Sequence, residues 1–496
     1  MISGNICIWC IAWLNFLWVP LANKIKEDLG VNIYGICSTK KDLNFFKSLD
    51  QEGSFENFVS TDHFIEEYTS DDFSSNDAVE IARENEKRYN FLYVDILQTD
   101  RHLGRGFVAG APYFPRSELS KHATYLRSIN VINKIILFWE KYFKDQKIKI
   151  MIGAPGGLIG KTACVIARGN GIAIRTIAWA KYLDFFYWAT DEYLSFPGLK
   201  EKFRNTERIQ DLQEIIIDLP KGEIAARKKT LKRERFVFVF KDALRQILIR
   251  NYQKIRHLEG PSKYFLSSEL KFIFRTYFEF LNLRKIKLFK FEDLKNERYF
   301  FYPLHLEPEI ALSVLSPEFN EQLALIEFMA KNLPANYKLA VKEHIYSIGR
   351  RPKEFYSIIA EIPNVLLVDY REHALTIMEN CVAMVVISST AGFEAAIKGI
   401  PVISFGKHNI FNFLDHVYSV ESWIDLRNVI LEICDKYNNR EASFLRKRAG
   451  LNFLNTMIDL SMDIPGMKLA PKGFEIKLEY LNLLVQRLYE SLENFQ

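Results

Sequence analysis

The stretch from Val386 to Gly406, VISSTAGFEAAIKGIPVISFG, decides how the fold of this chain is interpreted. A short apolar run from Cys381 to Ile387, rich in β-branched residues, overlaps its start and predicts a buried strand. Gly392 to Ile397 predicts a helix that a Gly-Ile-Pro sequence ends, and Val402 to Phe405 predicts the next strand. The unit is therefore a strand, a hydroxyl-rich turn, a short helix and a second strand.

The turn of this unit carries Ser388, Ser389 and Thr390 directly before the predicted helix. Free backbone N–H groups at the start of a helix suit an anion such as a phosphate. Serine and threonine are also ordinary helix caps, so a simple cap is the alternative interpretation. The remainder of the carboxyl-terminal half favours the anion site.

Length and composition are those of an ordinary globular protein. The chain has 496 residues, enough for two or three domains, with 48% hydrophobic and 26% charged residues. Its net charge of +5 is small for this length and does not indicate a nucleic-acid partner. Six scattered cysteines, mostly in apolar runs, predict buried free thiols and a reducing cytoplasm.

Predicted strands and helices alternate along both halves of the chain, which indicates α/β domains with parallel, doubly wound sheets. Ile6 to Leu14 predicts a first buried strand rather than a signal peptide, because no Lys or Arg precedes it. Phe16 to Leu29 predicts an amphipathic helix that ends at Gly30. Tyr89 to Leu97 predicts a further strand.

A stretch that resembles a phosphate-binding loop runs from Gly153 to Thr162, GAPGGLIGKT, between a predicted strand and a predicted helix. The phosphate-loop pattern requires glycine at the position of Pro155. We therefore favour a tight strand-to-helix turn and keep a nucleoside triphosphatase as a minor alternative.

A basic segment lies in the middle of the chain. Lys221 to Lys290 carries 19 Lys and Arg against 6 Asp and Glu, a net charge of +13, interleaved with aromatic residues. A solvated helical linker and a surface that rests on an anionic membrane leaflet are both open interpretations. Nucleic acid is not expected, since no nucleic-acid-reading module accompanies the charges.

Three loops that follow predicted strands of the carboxyl-terminal half carry polar side chains. His305 and Glu309 follow the first strand, Lys342 and His344 follow the second, and the Ser388 turn follows the third. Ligands of an open α/β sheet bind beyond the carboxyl ends of its strands, so these loops are expected to converge. Two imidazoles, an ammonium group, hydroxyls and a helix start suit a phosphate ester.

Two further expectations concern the same edge of the sheet. Glu394, one turn into the predicted helix, can accept hydrogen bonds from ribose or sugar hydroxyls. The histidines lack the short spacing of metal ligands, so neither a metal nor another cofactor is expected. Each histidine taken alone is also open to a plainer interpretation, a loop residue that bonds to the backbone.

Four stretches together resemble the capsular polysaccharide biosynthesis family of glycosyltransferases: PLHLEPE, VKEHIYSIGRR, NVLLVDYREHALTIMENC and SSTAGFEAAIKGIPVISFG. The resemblance spans about Tyr299 to Gly406 and extends weakly to QTDRHLGRG in the amino-terminal half. The family is similar to bacterial Kdo and sialic-acid transferases. It implies the GT-B fold, in which two Rossmann-like domains face a cleft and no metal is needed.

The resemblance also implies roles for individual residues. The family's His-Pro motif contacts the nucleotide phosphate, and His344 matches it with Ile345 in place of the proline. The family's Ser/Thr motif, which holds the phosphate, matches Ser388, Ser389 and Thr390.

The catalytic carboxylate of such enzymes comes from the amino-terminal domain. Asp100, with His102 beside it, is the best match by position, and Asp95 is the second choice. From the residues alone, Asp100 is also open to interpretation as a loop aspartate that accepts backbone N–H bonds in a turn.

The resemblance implies transfer of a sugar from a CMP- or UDP-linked donor to a surface or capsular polysaccharide, or to its lipid-linked precursor. A nucleotide-sugar 2-epimerase and a non-catalytic polysaccharide assembly or binding subunit are the alternatives. We expect a cytoplasmic protein, with peripheral association at the inner face of the membrane as a further expectation.

The expected domain organisation follows the same reasoning. Residues 1–220 are predicted to form an acceptor-side α/β domain, residues 221–295 a basic and aromatic helical linker, and residues 296–440 a nucleotide-sugar-binding α/β domain. Helices in residues 441–496 are predicted to pack back on the first domain.

Overall fold

Two β-sheets organise two compact units of the chain. The computed structural model describes residues 4–11, 14–68, 77–153, 156–206, 227–256, 263–436, 439–471 and 473–493. Unit 1 comprises residues 1–104, 122–204 and 456–496, and unit 2 comprises residues 105–121 and 205–455.

The strands, in chain order, are β1 (Asn5–Trp9), β2 (Ile33–Cys37), β3 (Asn57–Ser60), β4 (Ile148–Ile152), β5 (Ala173–Trp179), β6 (Phe185–Ala189), β7 (Tyr299–Pro303), β8 (Lys338–Lys342), β9 (Val365–Val368), β10 (Ala383–Val386), β11 (Val402–Ser404), β12 (Val417–Ser419) and β13 (Met462–Asp463).

The α-helices, in chain order, are α1 (Asn15–Leu29), α2 (Lys40–Leu49), α3 (His63–Tyr68), α4 (Ala78–Tyr89), α5 (Tyr93–Leu97), α6 (Glu118–His122), α7 (Tyr125–Asp145), α8 (Leu158–Gly169), α9 (Leu199–Asn205), α10 (Phe236–Ile255), α11 (Leu266–Leu283), α12 (Phe291–Leu294), α13 (Ile310–Ser313), α14 (Gln322–Asn332), α15 (Phe355–Glu361), α16 (Ala374–Glu379), α17 (Thr390–Ile397), α18 (Leu426–Lys436), α19 (Arg440–Leu460) and α20 (Leu478–Glu493).

The sheet of unit 1 has the order β13-β6-β5-β4-β1-β2-β3. The five strands β3, β2, β1, β4 and β5 are parallel, and β6 and β13 add antiparallel pairs at one end. The last helix, α20, packs on this sheet: the indole of Trp188 donates to the Leu484 carbonyl at 2.9 Å, and the Arg175 guanidinium donates to the Ser491 hydroxyl at 2.9 Å.

The sheet of unit 2 has the order β12-β11-β10-β7-β8-β9, and every neighbouring pair is parallel. This strand order is typical of the Rossmann fold. Apart from the edge strand β12, its strands are almost continuously buried, as expected when helices cover both faces of a parallel sheet. The predicted fold class, α/β with two Rossmann-like domains, is confirmed.

The stretch from Val386 to Gly406 folds as predicted. Strand β10 ends at Val386, helix α17 begins at Thr390, and β11 starts at Val402. Gly399, at φ +70°, ends the helix where the chain must turn, and a Cβ there would overlap the backbone at Lys447.

The predicted strand from Tyr89 to Leu97 is wrong. Asn90, in the left-handed region at φ 51°, ends α4, and the chain then forms the short helix α5. The Asp95 carboxylate accepts from the Leu92 N–H at 3.0 Å, and the Glu86 carboxylate accepts from the Tyr93 N–H at 2.9 Å. Local side-chain bonds to backbone N–H groups replace the strand ladder that the alternating pattern suggests.

The described part of the basic segment is helical and belongs to unit 2. Helix α10 packs on α11, and the Gln246 side chain donates to Glu269 at 2.9 Å. Residues 221–226 and 257–262 of that segment lie outside the described residues. Within the described part of the chain, no helix is both long and apolar enough to span a bilayer.

Candidate functional site

The carboxyl edge of the unit 2 sheet contains a topological switch point. Strands β7 and β10 are neighbours, and the chain continues from β7 toward one end of the sheet and from β10 toward the other. Ligands of open α/β sheets bind in the crevice that forms where the strand order reverses. The loops that follow β7 and β10 carry His305 and Ser388, two of the residues predicted from the sequence.

The structure brings these two residues together. The Nε2 atom of the buried His305 ring accepts a hydrogen bond from the Ser388 backbone N–H at 3.1 Å. An accepting Nε2 carries no proton, so this bond assigns the proton of a neutral His305 to Nδ1. The imidazole ties the loop after β7 to the start of α17.

The next residue, Ser389, is the N-cap of α17. Its side chain accepts from the Gly392 N–H at 3.3 Å. Ser389 therefore caps the helix, as the alternative interpretation of the turn expects. Ser388 is buried. The backbone N–H groups of the first helical turn have no partner within the helix other than such a cap. The helix has eight residues, long enough to favour negative charge at this end.

Lys342 ends β8, the strand next to β7. Its side chain is buried, and its ammonium group donates to the Glu343 carbonyl oxygen at 3.4 Å. Burial lowers the pKa of Lys342 to about 8, and the positive charge of Arg227 acts in the same direction. Lys342 is therefore a buried cation that would gain from an anionic ligand.

His344 lies two residues further, where the chain turns into a 3₁₀ segment from Ile345 to Ser347. Burial lowers the pKa of His344 to about 4, so the ring is neutral at pH 7. Its Nδ1 atom is buried and has no hydrogen-bond partner among the described residues. His344 thus offers a neutral hydrogen-bonding group rather than a positive charge.

A buried ionic network beneath these loops was missed by the sequence analysis. The guanidinium of Arg351 donates to both carboxylate oxygens of Glu343, at 2.7 and 2.9 Å, and lies 2.6 Å from the Glu307 carboxylate. The same guanidinium donates to the His305 carbonyl at 2.7 Å. Arg351 and Glu343 are only 1% and 2% exposed, so the charges are removed from water and must satisfy each other.

The network fixes the backbone of both histidines. The His344 N–H donates to Glu343 at 2.6 Å, and the His305 N–H donates to the Gln322 side chain at 2.7 Å. Gln322 also donates to Glu307, which closes the network. The sequence offers one signal for this network: Glu343 is a charged residue directly after an apolar strand. The sequence does not identify its partner, because Arg351 lies eight residues away in a loop.

Three predicted residues of unit 2 remain: Thr390, which is the first residue of α17, and the carboxylates Glu309 and Glu394. Glu309 is exposed and directly precedes α13, and its main-chain carbonyl accepts from the N–H groups of Leu312 and Ser313 in that helix. Glu394 is half-buried on α17, where its carbonyl accepts from the Lys398 N–H. Their predicted contacts with sugar or nucleotide hydroxyls stay predictions.

Asp100 and His102 belong to unit 1 and follow the short helix α5, not a strand as expected. The Asp100 carboxylate accepts from the backbone N–H groups of His102 and Leu103, at 2.7 and 2.9 Å. Asp100 is thus a loop aspartate that accepts backbone N–H bonds in a turn, as the alternative interpretation expects. A Cβ at Gly104 would overlap the Leu97 carbonyl, so this tight turn requires glycine there. The catalytic role of Asp100 stays a prediction.

The phosphate-loop-like stretch uses its two characteristic side chains internally. The Lys161 ammonium is buried, 3.0 Å from the Glu192 carboxylate and 2.8 Å from the Tyr193 hydroxyl. The Thr162 hydroxyl donates to the Leu158 carbonyl at 2.7 Å. Neither group is arranged as in a nucleoside triphosphatase. Pro155 lies outside the described residues.

Among the described residues, no group of three His, Cys, Asp or Glu side chains is placed to hold a metal ion. The chemistry available at the unit 2 edge consists of an ammonium group, imidazoles, hydroxyls and backbone N–H groups. Apart from the His305 Nε2 atom and the Ser388 N–H, which bond to each other, these groups can donate hydrogen bonds, and they suit an anionic oxygen ligand.

Residues 226–414 match the family model described as capsule polysaccharide biosynthesis protein. The matched range includes all four stretches that suggested this resemblance and begins before them, so the resemblance is confirmed over that range. It also takes in α10 and α11. No curated protein matches the chain in sequence.

Several solved structures align with most of the chain at low identity. The UDP-GlcNAc 2-epimerase of Neisseria meningitidis bound to UDP-GlcNAc is 11% identical and has a TM-score of 0.29, with 99% of this chain and 100% of that chain covered. The UDP-GlcNAc 2-epimerase of Methanocaldococcus jannaschii in complex with UDP-GlcNAc and UDP is 10% identical and has a TM-score of 0.27, with 91% and 98% covered.

The glycotransferase of kitacinnamycin is also 10% identical, with a TM-score of 0.27 and with 98% of this chain and 99% of that chain covered.

Proposed function

We propose that this protein transfers a sugar from a nucleotide-sugar donor, CMP- or UDP-linked, to a surface or capsular polysaccharide or its lipid-linked precursor. The proposal rests on the match of residues 226–414 to the capsule polysaccharide biosynthesis model. One structural observation carries the site: at the switch point of the unit 2 sheet, His305 in the loop after β7 accepts a hydrogen bond from the Ser388 N–H, just before the start of α17.

The donor phosphates are proposed to lie at this edge. When the glycosidic bond breaks, negative charge grows on the leaving phosphate, and fixed donors that meet this charge lower the barrier. Lys342, with a pKa of about 8, is mostly protonated at pH 7 and supplies the positive charge. His344, Ser389 and Thr390 supply hydrogen bonds, and Glu394 is proposed to accept from a hydroxyl of the donor.

The ionic network of Arg351 holds this arrangement before the ligand arrives. It fixes the main chain of both histidine loops, so little conformational freedom remains to be lost when the donor binds. No metal is part of the proposal, because a lysine and a helix start can balance the leaving charge.

The acceptor hydroxyl needs a base, and we propose Asp100 of unit 1 for this role, with His102 beside it. The support for this assignment is positional: Asp100 lies in the stretch QTDRHLGRG, whose residues up to Gly104 belong to unit 1, and it is the best match by position to the carboxylate that the resemblance implies. The carboxylate already accepts two backbone N–H bonds, and these bonds also hold it in one orientation.

Two measurements test the proposal. In the first, the full chain is mixed with CMP-, UDP- and GDP-sugars, and a bound donor is expected to raise the unfolding temperature by mass action. In the second, the stabilising donor is incubated with an oligosaccharide acceptor and the products are analysed. A glycosylated acceptor supports transfer, an epimerised nucleotide sugar indicates the epimerase alternative, and binding without turnover indicates a non-catalytic subunit.

A further inference from the structure

Helix α10 presents two different faces. Val239, Ala243 and Arg250 on its inner face are buried. Gln246 on the same side bonds to Glu269 of α11 at 2.9 Å. The inner face is thus fully used for packing within unit 2, and the outer face is left to solvent.

The outer face carries large apolar side chains, which we call the α10 stripe. The stripe consists of Val237, Phe240, Leu244, Leu248 and Ile255, which are 60%, 49%, 46%, 69% and 75% exposed. Their spacing of three, four, four and seven residues places them on one side of the helix. Side chains of this size are rarely exposed in a contiguous row on a soluble protein unless they contact another molecule.

The residues around the stripe are basic. Lys241, Arg245, Lys254 and Arg256 are all exposed. The one acidic residue of α10, Asp242, is only partly exposed and is paired with Arg233 at 3.0 Å. The outer face therefore combines an apolar row with positive charges and no unpaired carboxylate.

We propose that the α10 stripe rests on the surface of an anionic lipid bilayer, with its apolar side chains at the boundary between headgroups and acyl chains. An amphipathic helix with an apolar face and flanking Lys and Arg has the composition of such interfacial helices. The basic side chains meet anionic headgroups, and each contributes to the attraction. This surface is independent of the donor site, and its test does not require turnover.

Charge argues against a second copy of the chain as the occupant. A twofold interface places the same patch of both subunits together. It would bring Lys241 and Arg245 of one copy close to the same basic patch of the other, and the one carboxylate of each helix, Asp242, is already paired with Arg233. An anionic lipid surface has no such cost.

The experiment uses the full chain and two vesicle preparations, phosphatidylcholine alone and phosphatidylcholine with an equal amount of phosphatidylglycerol. Binding measured by co-sedimentation is expected only to the second and is expected to fall as NaCl is added. Lys241→Gln and Arg245→Gln are each expected to weaken binding about fivefold, while Arg245→Lys keeps the charge and is expected to bind like the parent.

A matched pair of variants tests the apolar contribution. Leu248→Asp, in the stripe, is expected to weaken vesicle binding by about tenfold or more, since it removes a leucine that the bilayer would cover and adds a negative charge. Ile424→Asp, which replaces an 85% exposed isoleucine elsewhere in unit 2, is expected to bind like the parent. Circular dichroism verifies that both variants are folded.

Three results would overturn the proposal. The first is equal binding to neutral and anionic vesicles, or no binding to either. The second is unchanged binding by folded Leu248→Asp. The third is a parent dimer in light scattering that Leu248→Asp converts to a monomer, because this would show that a second copy covers the stripe.

Discussion

Lys161 of unit 1 and Lys342 of unit 2 are both buried lysines near the carboxyl edge of a parallel sheet, and their surroundings differ. Lys161 faces the carboxylate of Glu192 at 3.0 Å. Burial alone would lower the pKa of Lys161, but Glu192 and Tyr193 outweigh burial and raise it. Lys342 donates to a carbonyl, and burial lowers its pKa to about 8.

The two lysines show that the sequence motif around a lysine does not determine whether its charge is neutralised within the fold or is available to a ligand. Lys161 stands in the stretch that most resembles a phosphate-binding loop, yet its charge is neutralised within the fold. Lys342 stands in no named phosphate motif, and its charge is without a carboxylate partner among the hydrogen bonds and ion pairs of the described residues. A buried cation of the second kind is the one expected to serve a ligand.

The largest expected effect tests whether unit 1 contributes chemistry as well as structure. Asp100→Asn is expected to lower the rate of sugar transfer by about 10²–10⁴-fold, the typical contribution of a positioned base. Donor binding and the unfolding temperature are expected to stay near those of the parent. Steady-state kinetics with the donor and acceptor found above provide the measurement. If the folded variant transfers sugar at the parent rate, Asp100 is not the base and Asp95 is the next residue to substitute.

The second prediction concerns the structural lysine. Among the ion pairs of the described residues, Lys161→Met leaves the buried Glu192 with the more exposed Arg168 as its partner, at 2.7 Å. Breaking a buried pair in this way is expected to lower the free energy of unfolding by about 3 kcal/mol. Urea unfolding at pH 7, with Lys342→Met as the matched control, measures the difference. Equal losses in the two variants would contradict the distinction between the lysines.

The third prediction uses the pKa of Lys342. Because its pKa is about 8 in the fold and the ordinary pKa of a lysine is 10.5, the unfolded chain binds more protons than the folded chain between these pH values. The contribution of Lys342 to stability therefore rises with pH from about pH 8 to 10.5, by about 3 kcal/mol in total. Lys342→Met is expected to remove this rise in stability, which urea unfolding at about pH 7.5 and at about pH 10 would measure. If the free energy of unfolding depends on pH in the same way in the parent and the variant, the pKa of Lys342 is not lowered in the fold.

The fourth prediction separates the two lysines by ligand binding. Lys342→Met and His344→Ala are each expected to weaken nucleotide binding by about 1–3 kcal/mol, the usual cost of losing a hydrogen bond to a charged group. Calorimetry with the stabilising nucleotide provides the measurement, and Arg168→Gln, beside Lys161, is the control that should leave affinity unchanged. Parent-like affinity in both site variants would place the donor elsewhere.

The smallest expected effect tests whether Ser389 only caps α17 or also binds the nucleotide. Ser389→Ala is expected to cost about 1 kcal/mol of unfolding free energy, as for other N-caps. Thr39→Ala is the matched control, because the Thr39 hydroxyl caps α2 through the Asp42 N–H at 3.0 Å. Only Ser389→Ala is expected to weaken nucleotide binding as well. A purely structural role for Ser389 would leave affinity the same in both variants.

The strands, helices and turns that depend on residues close together in the chain could be predicted from the sequence alone. The strand, turn and helix of the Val386 stretch follow from a β-branched run and a short helical pattern that Gly399 ends. Helix α1 ends as predicted at Leu29, because Gly30 takes the left-handed conformation at φ 63° that favours glycine. The convergence of His305 and Ser388 also followed from the sequence, since parallel strands place their following loops at one edge.

The tertiary structure was needed to show which polar side chains bond to partners within the fold and which can bind a ligand. The partners of Lys161 lie 31 and 32 residues away, in Glu192 and Tyr193. Glu307 and Arg351 meet across 44 positions of the sequence. Periodicity and spacing report on neighbours within a few residues, whereas the charge and pKa of a buried group depend on desolvation and on partners that folding brings from distant parts of the chain.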